Sequence, residues 1–215
     1  MSKTLLNATN ISHSFDYPLF SNINFKIDEQ ESIAIVGRSG SGKSTLLHIF
    51  SSFIKPNNGQ VQLLEKDLYS LKEEMIEKIR RYDLGIIFQA HYLFKGMKAI
   101  ENLEIATLLA DETIDSQLLE RLEIKELMEQ KIGELSGGQQ QRISIARVLS
   151  KKPKIIFADE PTGNLDKETA RLVMDVLFKY IRTNDAAMIL VTHDEEIAKL
   201  CNKSFRLENQ ELKEF

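Results

Sequence analysis

The chain has 215 residues, 42% hydrophobic and 28% charged, with a formal net charge of -4 and a pI of about 5.7. That length can bury a sizeable core, and the acidic balance gives no electrostatic reason to expect duplex nucleic acid as the main ligand. The lone Cys201 excludes an internal disulfide, the apolar runs are too short for a bilayer, and "MSKTLLNATNIS" lacks a secretory leader pattern, so a soluble cytosolic chain is expected.

In chain order, residues 5–11 and 23–27 alternate as half-buried strands do, and Ser32–Val36 is a short apolar strand ending at Gly37. "STLLHIFSSF", after Lys43, has helical spacing, and "KPNNG" breaks the chain at residues 55–59. "GQVQLL" reads as a strand, residues 71–81 as a charged amphipathic helix, and "LGIIFQ" as a buried strand running to Gln89. Residues 98–130 read as helix throughout, rich in Leu, Glu and Ile. Strands and helices then alternate again: "KIIFADE", a helix over 167–182, "AMILVTH", a helix over 194–201, and final strands in "FRLENQELKEF". Such alternation implies an α/β fold with a mostly parallel sheet covered on both faces. Residues 1–215 read as a single domain, with 90–146 as an inserted helical subdomain.

"IAIVGRSGSGKST" places G-x-x-x-x-G-K-S after a strand and before a helix, the context of a phosphate-binding loop. Its glycines allow a tight turn whose N–H groups point at phosphate oxygens, and the helix N-terminus adds a favourable dipole. In that loop Lys43 reaches the β- and γ-phosphates, and the Ser44 hydroxyl is a ligand for Mg²⁺. Asp159 and Glu160 follow "IIFA", so both carboxylates emerge at the carboxyl edge of a parallel strand, where α/β sheets bind ligands. Asp159 suits Mg²⁺ and Glu160 suits a general base for water. His193 ends a third strand, where a γ-phosphate contact competes with a structural role. His13, His48 and His91 read as surface or packing residues. "LSGGQQQRISIAR" poses a puzzle, because it is a second turn of anion-binding shape in one chain.

Taken together and in order, "GRSGSGKS", Gln89, "LSGGQQQR", "IIFADE", "GNLD" and "VTHD" resemble the ATP-binding-cassette (ABC) ATPases from end to end. The resemblance implies a P-loop NTPase core, an N-terminal antiparallel β subdomain, a helical subdomain bearing the Ser-Gly-Gly signature, and hydrolysis of ATP with Mg²⁺. It implies that Gly37, Ser39, Gly40, Ser41, Gly42, Lys43, Ser44 and Thr45 hold the phosphates. Ser44, Gln89 and Asp159 would serve the metal; Glu160, with His193 and Gln89, would serve hydrolysis. Family members stack an aromatic ring on adenine just after the first strand; Phe15 fits best, Tyr17 is the second choice, and a packing role for Phe15 stays open. Two subunits would meet head to tail, with Ser136 and Gly138 closing over the partner's ATP and Asp166 in the loop crossing the interface. The second anion turn is then half of a shared site.

"DEPTGNLD" and "LGIIFQAHYLF" resemble the branch of lipoprotein-releasing, macrolide-export and cell-division ATPases. This implies a separate integral-membrane permease, a place on the cytoplasmic face of the membrane, and no nucleic acid partner. The helical stretch between Gln89 and Ser136 is shorter than usual for the branch, and no regulatory or membrane domain is evident. The apolar "YLF" after Gln89 reads either as subdomain packing or as the floor of a permease groove. Two other functions stay open: a mechanical transmitter in an envelope or cell-division complex, and a soluble ABC ATPase acting on DNA or ribosomes.

Overall fold

The computed structural model describes residues 2–215. Strands β1 (Thr4–Ser14) and β2 (Pro18–Asp28) form an antiparallel hairpin whose tip is Phe15, Asp16 and Tyr17. Both run beyond the alternating stretches of the sequence. The left-handed Asn10 (φ 54°) lies at a register shift between Ala8 and Ile11, which breaks the period of two. β3 (Ser32–Val36) leads through the phosphate loop into α1 (Lys43–Phe50). That helix stops short of the expected "SSF" because Ser51 Oγ bonds back to Leu47 O and Ser52 turns left-handed (φ 73°). β4 (Asn58–Leu63) and β5 (Lys66–Asp67) complete a four-stranded sheet in the order β2-β1-β4-β5.

After α2 (Glu73–Tyr82) and β6 (Leu84–Ile87) comes the helical stretch: α3 (Ala99–Ala110), α4 (Ser116–Arg121) and α5 (Gly137–Leu149). It is not one continuous helix. Asp111 caps α3 in the left-handed region (φ 57°), Asp115 starts α4 by accepting the Gln117 N–H, and Glu123 (φ 54°) turns left-handed after α4. Short 3₁₀ turns follow, and Ile124, Met128 and Ile132 stay buried through them, so apolar spacing persists where the α-helix does not. β7 (Ile155–Asp159), α6 (Lys167–Thr183), β8 (Ala187–Val191), the four-residue α7 (Glu195–Ala198), β9 (Lys203–Glu208) and β10 (Glu211–Glu214) finish the chain.

The second sheet has the order β10-β9-β3-β8-β7-β6, parallel except for the terminal β9–β10 hairpin. Its central strands are buried on both faces, as parallel strands under two layers must be. Alternation divides them between two cores. Ala34, Val36, Ile156, Ala158, Met188 and Leu190 face the α5–α6 side, whereas Ile33, Ile35, Ile155, Phe157, Ala187 and Ile189 face α1 and the antiparallel sheet. Because β3, β8, β7 and β6 are neighbours and point the same way, Gly37, Thr192, Glu160 and Phe88 follow strand ends along one edge.

Candidate active site

That edge opens into a cleft of about 450 Å³. It is lined by Ser39, Gly40, Gly42, Lys43, Ser44 and Thr45 from the loop, Gln89, Asp159, Glu160 and His193 from strand ends, and Phe15 and Tyr17 from the hairpin tip. Leu19 and Val191 also line it and carry no chemical signal in the sequence. Gly37 and Ser41 lie behind this lining. A Cβ on Gly37 would sit 2.6 Å from Leu207 O, so only glycine lets β3 leave the sheet there. The Ser41 hydroxyl is buried without a hydrogen-bond partner.

The loop is held by its own groups. Gly42 caps α1 with φ 98°, a conformation that suits glycine. Lys43 is buried, and its ammonium donates to Gly37 O at 2.9 Å and Arg38 O at 3.0 Å. The loop therefore wraps a positive charge at the start of a helix, which is a ready anion site.

Glu160 is the strained residue of the cleft. Its φ of 50° is left-handed, a region that costs a side-chain-bearing residue about 1–3 kcal/mol. The conformation is held from both sides: Glu160 N–H donates to Val191 O at 2.9 Å, and Gly163 N–H donates to Glu160 O at 3.2 Å. The side chain is thereby turned to β8, where Oε1 lies 2.8 Å from His193 Nδ1 and Oε2 accepts from Thr192 Oγ1 at 3.4 Å. With a carboxylate as acceptor, His193 Nδ1 is the donor of this pair. The arrangement presents a half-sequestered base and an orienting imidazole to whatever the phosphate loop holds.

Ser44, Gln89 and Asp159 bring a hydroxyl, an amide and a carboxylate to the same cleft. Among the described residues no group of three or more His, Cys, Asp or Glu side chains is placed to hold a metal ion. A few hard oxygen donors beside a phosphate loop fit Mg²⁺, which keeps waters and shares its shell with phosphate oxygens rather than filling a protein cage.

Ser136, Gly138 and Asp166 do not join this cleft. Ser136 is exposed and caps α5: its Oγ accepts from Gln139 N–H at 3.3 Å, and Gln139 Oε1 accepts from Ser136 N–H at 2.8 Å. Asp166 caps α6, accepting from Glu168 N–H, Thr169 N–H and the Thr169 hydroxyl. Those bonds, the Thr169 hydroxyl foremost, hold its carboxyl below the ordinary range. The two caps are neighbours, since a Cβ on Gly138 would lie 3.3 Å from Leu165 Cδ2. Gln141 escaped notice in the sequence. It is buried on α5 and donates to Pro161 O at 2.9 Å, just past Glu160. Its signal was a polar residue in register with Ser144, Ile145 and Val148 on the core face of the helix.

The "YLF" segment divides. Leu93 packs against the core, while Tyr92 and Phe94 remain exposed. Phe94, Ile105, Ala106 and Leu109 form an apolar groove between α2, α3 and α5, bordered by Arg80, Arg81, Arg147 and Lys151 together with Glu77 and Asn102. Burial, with Arg147 beside it, pushes the Lys151 ammonium down to about 8. Among the described residues no helix is long and apolar enough to cross a membrane.

The family profile described as ABC transporter matches residues 20–163. The uncharacterized ABC transporter ATP-binding protein YbbA of Escherichia coli (strain K12) is 37% identical over 202 residues, covering 91% of this chain and 89% of that protein. The lipoprotein-releasing system ATP-binding protein LolD of Rickettsia felis is 40% identical over 220 residues, covering 97% of each. Among solved structures, the ATP-binding cassette MJ0796, in a dimeric post-hydrolysis state bound to ADP and Pi, superposes with a TM-score of 0.89 at 31% identity, covering 98% of both chains.

Proposed function

The chain belongs to the ABC transporter family as an ATP-hydrolysing subunit, and we propose that two copies meet head to tail around two ATP molecules to drive a separate membrane permease. One observation carries the shared-site reading. The Ser136 turn, built as an exposed helix N-terminus, lies outside the cleft that collects the phosphate loop, Gln89, Asp159, Glu160 and His193. A second subunit supplies what each cleft lacks: its Ser136 and Gly138 close over the triphosphate, with Asp166 in the loop that crosses the interface.

In this reading Gly37, Ser39, Gly40, Ser41, Gly42, Lys43, Ser44 and Thr45 shape and line the phosphate cradle, and Phe15 stacks on adenine. Ser44, Gln89 and Asp159 would hold Mg²⁺, whose charge would offset that of the phosphate oxygens. Glu160 takes a proton from the attacking water, and His193 is anchored beside it through Nδ1, on the γ-phosphate side of the cleft. Residues 1–215 act as one unit, with 90–146 as the inserted helical subdomain.

The groove over Phe94, Ile105 and Leu109 receives a permease segment. Its apolar floor and cationic rim suit an amphipathic helix carrying carboxylates, at the cytoplasmic face of the membrane. Relatives named for lipoprotein release favour export of that kind over a purely mechanical role.

Cross-complementation tests the shared site. A Lys43→Ala subunit and a Ser136→Arg subunit are each inactive alone; mixed, they form pairs with one wholly intact site, and ATPase activity returns. Mixed pairs verified by differential tags that stay inactive would overturn the arrangement.

A further inference from the structure

The hairpin that presents Phe15 also buries a histidine that makes no hydrogen bond. His13 is 7% exposed, and neither Nδ1 nor Nε2 has a partner. Buried polar atoms are normally matched, so this imidazole calls for another reason to be there. Its ring meets Phe15 with centroids 4.9 Å apart and planes at 87°, the edge-to-face geometry that aromatic pairs favour. On the opposite strand it registers with Phe20, ring centroids 6.4 Å apart. Phe20 is buried and backs onto the phosphate loop, because a Cβ on Gly42 would lie only 3.1 Å from its Cδ1. Phe15, His13, Phe20 and Gly42 thus form an unbroken line of contacts from the hairpin tip to the loop.

Phe15 itself is 59% exposed on a tight turn in which its N–H donates to Tyr17 O. A ring so placed would sample several rotamers, and ordering it would be charged against ligand affinity. Tyr17 shares the turn and the cleft, but Phe15 is the ring braced from behind.

We infer that His13 is a positioning residue, fixing the Phe15 ring relative to the phosphate loop so that base and triphosphate are engaged together. The inference rests on the reading of Phe15 as the adenine platform. It assigns His13 no proton transfer and no ligand contact; the imidazole acts as an aromatic wedge.

The test compares ATP with inorganic tripolyphosphate, which has the phosphates and no base. In His13→Leu, of similar volume but without a ring, KM for ATP rises about threefold to tenfold, while kcat at saturation and inhibition by tripolyphosphate are unchanged. His13→Phe restores a ring and recovers KM. A His13→Leu enzyme with wild-type KM overturns the inference, as does one in which ATP and tripolyphosphate weaken together. Thermal unfolding of both variants, and His13→Ala as a third, separates loss of folding from loss of positioning. Phe15→Ala is the control on the underlying reading: if it leaves KM for ATP unchanged, the platform is not Phe15, whatever His13 does.

Discussion

The buried amide of Gln141 donates to Pro161 O at 2.9 Å, joining the helix that begins at Ser136 to the loop that begins at Glu160. A second contact, Gly138 against Leu165, lies one turn closer to the helix start. Helix α5 and the loop over 160–166 are thus joined by a buried hydrogen bond and by packing.

Replacing Gln141 with Met keeps the volume and removes the donor, leaving a buried carbonyl unmatched at a cost of about 1–3 kcal/mol. We expect a lower midpoint in urea unfolding and a fall in kcat larger than any change in KM for ATP. An unchanged kcat in a destabilised enzyme would reduce Gln141 to a purely structural role.

Glu160→Gln retains an oxygen to accept from His193 Nδ1 and loses only the base. Hydrolysis should fall by about two to four orders of magnitude while ATP still binds, as is usual when a general base is removed. The trapped, ATP-dependent pair should elute as a dimer in gel filtration with Mg²⁺. Monomeric behaviour at high protein concentration, with the permease bound, would count against ATP as interfacial glue.

Ser136 has two separable duties. Ser136→Ala loses the cap on α5 and should cost about 0.5–2 kcal/mol of stability. Asp caps as well as Ser does, so Ser136→Asp should fold with near-native stability. Its carboxylate would nonetheless oppose a partner's triphosphate, and hydrolysis should collapse. Full activity in Ser136→Asp would place Ser136 away from any phosphate.

Asp166 gives a pH signature. Its carboxyl is held below the ordinary value, chiefly by the Thr169 hydroxyl and then by the Thr169 N–H. The stability this contributes is present above the unfolded-state pKa and is lost as pH falls through the lower folded-state pKa. The gap in thermal midpoint between wild type and Asp166→Ala should be widest near neutrality and shrink in acid. A gap independent of pH would mean that the ionised cap is not what matters.

A charge on the groove floor should sever the membrane partner. Leu109→Asp, at an exposed position, is expected to leave the ATPase of the isolated subunit intact and to abolish co-purification with the permease. Retained co-purification would direct attention to another face.

Much of the cleft was legible before any coordinates, because its residues sit at strand ends and turns where residue type has a direct backbone cause. Gly42 must be left-handed, Lys43 must follow it, and Asp159 must end a buried run. Less legible was the interior of the helical stretch, where Asp111 and Glu123 turn left-handed without glycine and apolar spacing continues through 3₁₀ turns. Residues acting through burial were hidden as well. His13 and Gln141 are ordinary letters in their segments, and only the packing around them shows what each one braces. The split of Leu93 from Tyr92 and Phe94 was equally invisible, since three adjacent apolar residues carry no direction until the backbone is known.

The strand order has a consequence for birth of the protein on the ribosome. The strand that launches the phosphate loop, β3, pairs with β8 and β9, both made more than 140 residues later, and with no earlier strand. A nascent chain carrying residues 37–45 and even Glu160 has no neighbour for β3 and no anchor at Val191 for the strained Glu160 backbone. A chain cut after Glu160 therefore lacks both strands that hold the phosphate loop at the sheet edge, and β8 is the strand that joins β3 to β7 and brings the two halves of the cleft together.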